Sequence, residues 1–273
     1  MITNSDPISQ SLKPVPPAVL IDRRHERVYL VKTTFMPGED WQVNGAVLIG
    51  DGQTVVWDTF SRPSDIAQLS PLFPQTQPVF AVYSHADWDH CWGTCGFPFD
   101  HVVGHQHCLE RFEQELPGTL REMNETSQNH WADVTLKPPD LTFADTMTLN
   151  LGGLTLELSH FRGHTIDSIV GFVPEVGLLL AGDTVEIVPV INDPQDVPLW
   201  VENLEDRIRR LSDQAAVLQG HGNLTDKSLL NSNLTYLRQL LAGIPPALES
   251  TGPFYQETHL NNCRTMRVSL GKF

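Results

Sequence analysis

The chain is predicted to be a layered α/β protein, and three observations carry that expectation. Apolar, β-branched stretches followed by helical patterns occur twice along the sequence, as in two similar layered halves. Several of those stretches end in aspartate or histidine beside glycine, as in L-L-L-A-G-D over 178–183 and A-A-V-L-Q-G-H-G over 215–222. Side chains at the carboxyl ends of neighbouring strands converge on one edge of a sheet, where α/β proteins tend to build their sites. Finally, 273 residues with 40% hydrophobic and 8% aromatic content can fill a sizeable core.

Taken in order, residues 1–17 are polar and proline-rich and read as an arm. Residues 27–35 and 45–50 are strand-like, and Gly50-Asp51-Gly52 turns the chain into a partner over 53–58. Ser64 is placed to cap a short helix over 65–70, which Pro71 would stop. A strand over 78–84 follows, then a mostly helical stretch over 105–135, interrupted at Pro117-Gly118. Strands are expected at 147–151, 154–160, 168–173 and 177–182, and another at 215–219. Amphipathic helices are expected over 199–211 (Leu204, Ile208, Leu211) and 227–241 (Leu230, Leu234, Leu237, Leu241). The main domain is therefore drawn over 18–244, and the weakly patterned 245–273 is a C-terminal extension without an assigned role.

The formal net charge of −15 argues against nucleic acid or an anionic membrane as partner. Four cysteines, at 91, 95, 108 and 263, show no disulfide framework. The first residues lack a basic region followed by an apolar one. No apolar run approaches the ~18 residues of a membrane span. A soluble, cytoplasmic protein with a small-molecule substrate is the expectation; oligomeric state is not readable.

The chemistry concentrates in S-H-A-D-W-D-H over 84–90, directly after the apolar P-V-F-A-V-Y. His85, Asp87, Asp89 and His90 on one short turn need something cationic between them. Neutral imidazole and carboxylate suit zinc, iron and manganese. The loop F-R-G-H-T presents His164, and the strand ends add Asp183 and His221.

These residues resemble the metallo-β-lactamase superfamily, whose motifs run H-x-H-x-D-H, G-H-T, G-D and G-H in that order. The resemblance covers about Asp58 to Gly222. It implies an αββα sandwich, two mixed β-sheets flanked by helices, and it implies a dinuclear site. His85, Asp87 and His164 would hold the first metal, and Asp89, His90 and His221 the second. Asp183 would bridge them, with Asp89 and Asp183 counted as catalytic. The cofactors would be two divalent ions, zinc first and iron or manganese as alternatives, sharing a hydroxide nucleophile. The fold is far more specific than the substrate.

One position departs from the pattern: Asp87 stands where the second histidine belongs. The extra carboxylate lowers the charge of the site, makes a bound water less acidic and favours harder ions. The flavodiiron branch similarly carries a carboxylate there. The expected function is hydrolysis of an ester-like bond: thioester, lactone or related. The alternatives are an iron-dependent oxidoreductase of persulfide-dioxygenase or flavodiiron type, and a non-catalytic binding protein with a degraded site.

Other residues are weighed as neighbours. His105 and His107 lie outside the motif order and are set aside, His160 is either structural or a support behind the ligands, and Cys91, at a helix start, reads as buried. Trp88 and Trp92 are pocket wall or core. Thr165, Thr184 and Asp58 are candidates to hydrogen-bond ligands. The stretch 109–131 is either a lid or an ordinary helix pair.

Overall fold

Alternation along the strands sends successive apolar side chains into different cores. In the strand Thr54–Trp57, Val55 and Trp57 face a core between two sheets, while Val56 faces a second core under a helix. The computed structural model describes residues 19–34, 42–248 and 252–269. The arm expected over 1–17, residue 18 and the last residue of the 27–35 run lie outside the described residues, as do 249–251 and 270–273 of the extension.

The first sheet contains β1 (Val19–His25), β2 (Val28–Thr34), β3 (Gln42–Ile49), β4 (Thr54–Trp57), β5 (Val79–Val82), β6 (His101–His105) and β7 (Leu141–Phe143), in that spatial order. β1 to β4 pair antiparallel, and β4 to β7 pair parallel. The second sheet contains β8 (Thr146–Asn150), β9 (Thr155–His160), β10 (Ile169–Val173), β11 (Leu178–Gly182), β12 (Ala216–Gln219) and β13 (Thr225–Asp226). Its strands also lie in sequence order and are antiparallel except for β11 with β12. Leu48, Val55, Trp57 and Val82 of the first sheet meet Leu156, Leu158, Ile169 and Leu180 of the second in the central core.

Helices cover both outer faces. α1 (Pro63–Ala67), α2 (Trp88–Cys91), α3 (Gln106–Gln114) and α4 (Leu116–Thr126) lie on the first sheet's side, burying Ile66, Phe112, Leu116 and Trp131 nearby. α5 (Val197–Arg210), α6 (Lys227–Leu241) and α7 (Pro253–Ser269) lie on the other, around Trp200, Leu204, Leu230, Leu237 and Met266. The expected αββα sandwich is therefore the fold. No helix among the described residues is long and apolar enough to cross a membrane.

Several expectations need correction. The first helix starts at Pro63 with Arg62 as its N-cap, so Ser64 lies inside it. Proline fits the first helical position because an N–H there would go unpaired anyway. Cys91 ends α2 rather than starting it. The helical break falls at Glu115, and Pro117 sits in the first turn of α4. Strands β6, β7 and β13 and helix α7 went unpredicted. α7 buries Thr258, Asn262 and Met266 at four-residue spacing, but two of these three are polar and hide the periodicity.

Candidate metal centre

The parallel pairing of β4 with β5 and of β11 with β12 sets their carboxyl ends side by side. Asp58, the 84–90 turn, Asp183 and His221 all follow those ends. Two glycines allow the close approach. Gly182 has φ +51, and a Cβ there would lie 2.7 Å from that of Ser84; a Cβ on Gly220 would lie 1.8 Å from Asp183 Oδ1.

The predicted residues converge in two groups. His85 Nε2 and His164 Nε2 lie 3.4 and 3.3 Å from Asp87 Oδ2, and each lies 3.8 Å from Asp183 Oδ2. His221 Nε2 and His90 Nε2 lie 3.4 and 3.8 Å from Asp89 Oδ2. Asp183 reaches this second group too, with Oδ1 3.2 Å from His90 Nε2 and Oδ2 3.3 Å from His221 Nε2. A tetrahedron built on metal–ligand distances of about 2.0–2.1 Å has edges of about 3.3–3.4 Å. Five of these eight spacings, at 3.2–3.4 Å, match such edges and three, at 3.8 Å, are wider; Asp183 is common to both groups.

Each imidazole is oriented from behind. Nδ1 of His90 donates to Asp58 Oδ2 (2.9 Å), that of His164 to Val190 O (3.1 Å) and that of His221 to Gln42 O (2.8 Å). His85 Nδ1 pairs with Ser84 Oγ at 2.9 Å. The Nε2 lone pairs are left facing inward. Among the described residues, His85 Nε2, His90 Nε2 and Asp183 Oδ1 are buried with no hydrogen-bond partner. Buried polar atoms are rarely left so. Orphaned ligand atoms on these particular residues fit divalent cations.

The electrostatics agree. Burial works against charge on the imidazoles, but Asp87 and Asp183 outweigh it and hold His164 at about 9. Asp183 likewise holds His221 at about 10. Burial raises Asp87 and Asp183, yet neighbouring histidines pull both well below the usual carboxylate range. The cluster draws in positive charge, as protons or as metal.

Three further residues build the centre, and the sequence pointed only to the first. Asp58, buried at φ +57, accepts from Ser84 N–H (2.7 Å) as well as from His90. Asp167 accepts from Ala86 N–H (2.8 Å) and from Arg111 (2.9 Å), so the two aspartates hold the 84–90 turn at Ser84, Ala86 and His90. Arg111 of α3 also donates to Asp87 Oδ1 at 2.8 Å. Burial disfavours its charge, but Asp167 and Asp87 more than compensate and keep it firmly protonated. Arg111 and Asp167 lay outside the motif, and a lone charge on a helix or in a turn carries no spacing signal.

The remaining candidates separate cleanly. Thr165 pairs with Ser168 Oγ (2.7 Å), and Thr184 donates to Ala181 O (2.6 Å); neither bonds a proposed ligand, since each hydroxyl reaches a nearer group on its own turn. His105 donates to Ala144 O and stacks on His160 at 3.8 Å, and burial with His160 lowers it to about 4. Cys91 is buried, its thiol pushed up by burial and donating to Asp87 O. Trp88 and Trp92 pack with Trp131. The helix pair within 109–131 sends Arg111 to the centre and buries Phe112, Leu116 and Trp131. A cavity of about 440 Å³ opens beside His164, lined by Asp87, Arg111, Arg162 and Asn192 among others.

The sequence profile of the metallo-beta-lactamase superfamily matches residues 38–232, and the chain belongs to that superfamily. A curated relative, the probable metallo-hydrolase YqgX of Bacillus subtilis (strain 168), is 25% identical over 198 residues, covering 70% of this chain and 90% of the relative. The metallo-beta-lactamase from Pontibacter korlensis superposes with a TM-score of 0.60 at 22% identity, covering 81% of this chain and 99% of that one. The DIM-1 metallo-beta-lactamase gives 0.62 at 19%, covering 82% and 98%. The family and the buried His/Asp clusters together point to divalent metal binding.

Proposed function

We propose that this protein is a metal-dependent hydrolase of an ester-like bond, with a thioester, a lactone or a related carboxylic ester as substrate. The observation that carries the reading is Asp183, whose two oxygens face both groups of donors. His85, Asp87, His164 and Asp183 would hold one cation, and Asp89, His90, His221 and Asp183 the other. Bound there, the ions would polarise a carbonyl and supply a nucleophilic water of lowered pKa. The chain's own part is to fix the donors: Asp58, Val190 O and Gln42 O lock the imidazoles so that only Nε2 faces the reacting space. A cavity of about 440 Å³ has the volume of a small-molecule pocket, and Arg162 (held by Asp196 at 2.7 Å) lines it with a further cation.

The test is hydrolysis of a panel of thioesters, lactones and phosphodiesters by protein stripped of metal and then reloaded with zinc, iron or manganese. Turnover of an acyl substrate that disappears on stripping and returns on reloading is expected. Full turnover in the stripped protein would defeat the proposal.

A second reading has one observation in its favour. Donor atoms of His85, His164 and Asp183 lie within 4.8 Å of one another. Two histidines and a carboxylate form the facial set of mononuclear non-haem iron enzymes, in line with an iron-dependent oxidoreductase. Protein that takes up a single iron and consumes oxygen with a thiol or persulfide would favour it.

A further inference from the structure

Glu186 carries the same mark as the ligands but belongs to no motif. It is 1% exposed, and among the described residues neither carboxylate oxygen has a hydrogen-bond partner. A buried carboxylate without a partner is strongly unfavourable unless a cation or a proton answers it. Among the described residues the other orphaned histidine and carboxylate atoms of the centre are His85 Nε2, His90 Nε2 and Asp183 Oδ1. Glu186 Oε1 lies 3.9 Å from His221 Nε2. One oxygen of Glu186, one of Asp183 and a nitrogen of His221 fall within 4.8 Å of one another.

The approach is built into the backbone. Buried Asn233 of α6 accepts from Glu186 N–H at 3.1 Å and donates to Glu186 O at 2.6 Å. That pair of hydrogen bonds pins the residue three positions after Asp183 and leaves its side chain beside the second group of donors. The contrast with Asp87 is instructive, because Asp87 has the Arg111 guanidinium at 2.8 Å.

We propose that Glu186 is an additional carboxylate ligand of the cation held by Asp89, His90 and His221. The inference rests on the dinuclear reading above. It gives the second position an oxygen-rich donor set with a higher coordination number than the first.

The experiment is chelator competition on purified protein loaded with zinc, comparing wild type with Glu186→Gln, which removes charge but keeps shape. The second ion should be lost at least about tenfold more readily from the variant, and the first ion at the wild-type rate. Cobalt-loaded protein should show a changed visible spectrum for the second ion only. Equal affinities for both ions in the two proteins would overturn this inference and leave the dinuclear reading intact. Wild type that takes up only one ion would remove both. Should Glu186→Gln fail to fold, a crystal structure of zinc-loaded wild type decides. A Glu186 oxygen at about 2.0–2.2 Å from the second ion is expected; a separation beyond about 3 Å overturns the proposal.

Discussion

The two halves of the centre use the same chemistry under opposite electrostatic terms. In the first half, Asp87 shares its charge with Arg111, which is itself held by fully buried Asp167. In the second, Asp89 and Glu186 stand among histidines, and neither has an arginine or lysine ion pair among the described residues. A carboxylate already paired with a guanidinium is a weaker donor to metal than one with no other cation. The lesson is that the Asp-for-His departure at position 87 cannot be read alone. On the proposed reading of Asp87 as a ligand, Arg111 would offset the added negative charge, soften the shift towards harder ions and leave the stronger demand for cations in the other half.

The heaviest blow to this arrangement is loss of the group common to both halves. Asp183→Ala should take metal content well below two ions per chain and lower turnover about a thousandfold or more, as read by elemental analysis and steady-state rates. Normal metal content would show that Asp183 does not join the halves. Single-half lesions should be smaller and separable. His164→Ala should empty the first position and His221→Ala the second, each removing one equivalent; if either removed both, the halves would not be independent sites.

Arg111 offers a finer cut. Arg111→Met leaves Asp167 buried without its cation, which costs about 3 kcal/mol by analogy with other broken buried pairs. Metal should then restore more stability to the variant than to wild type, because Asp87 has no other cation left. Chemical denaturation of stripped and loaded protein measures both. An identical gain on loading would show that Asp87 stands apart from the first metal.

How far the sequence showed this contrast depends on where each residue lies. His85, Asp89, His90, His164, Asp183 and His221 announce themselves through strand ends and flanking glycines, and the structure brings their donor atoms together. The sheets were legible because short continuous apolar runs mark strands buried on both faces, such as β4 and β11. Arg111, Asp167, Glu186, Asn233 and Asn262 were not, because each acts through a contact 24 or more positions distant: Arg111 with Asp87, Asn233 with Glu186, Asn262 with Ile191. Tertiary partners of that kind leave no local pattern. The contacts of α7 with Pro189 and Ile191 were hidden for the same reason.

Asp87→His should return the first position to three nitrogen donors. Zinc's share of the bound metal should rise against iron and manganese after equal exposure, by a few-fold given Arg111's moderation of the native carboxylate. The alkaline rise of the pH–rate profile should move downward, since one negative charge fewer makes a bound water more acidic. Unchanged metal preference and pH profile together would show that Asp87 is a neighbour rather than a ligand.

The smallest effect expected comes from α7, which reaches His164 through a relay. Asn262, buried on that helix, donates to Pro189 O at 2.7 Å and accepts from Ile191 N–H at 3.2 Å. Between those two residues lies Val190, whose carbonyl accepts from His164 Nδ1 at 3.1 Å. The carbonyl's direction, and with it the tautomer and tilt of the His164 ring, depends on that clamp. Asn262→Ala should therefore loosen the first ion about tenfold, the lower end of what loss of a supporting hydrogen bond costs a metal site, and leave the second ion alone. Chelator competition with the two ions followed separately would show it. Asn262→Asp keeps the acceptor for Ile191 N–H but loses the donor to Pro189, so it should recover only part of the loss. If both ions weakened equally, α7 would be supporting the fold as a whole, and the relay from Asn262 to His164 would have no separate part in holding the first metal.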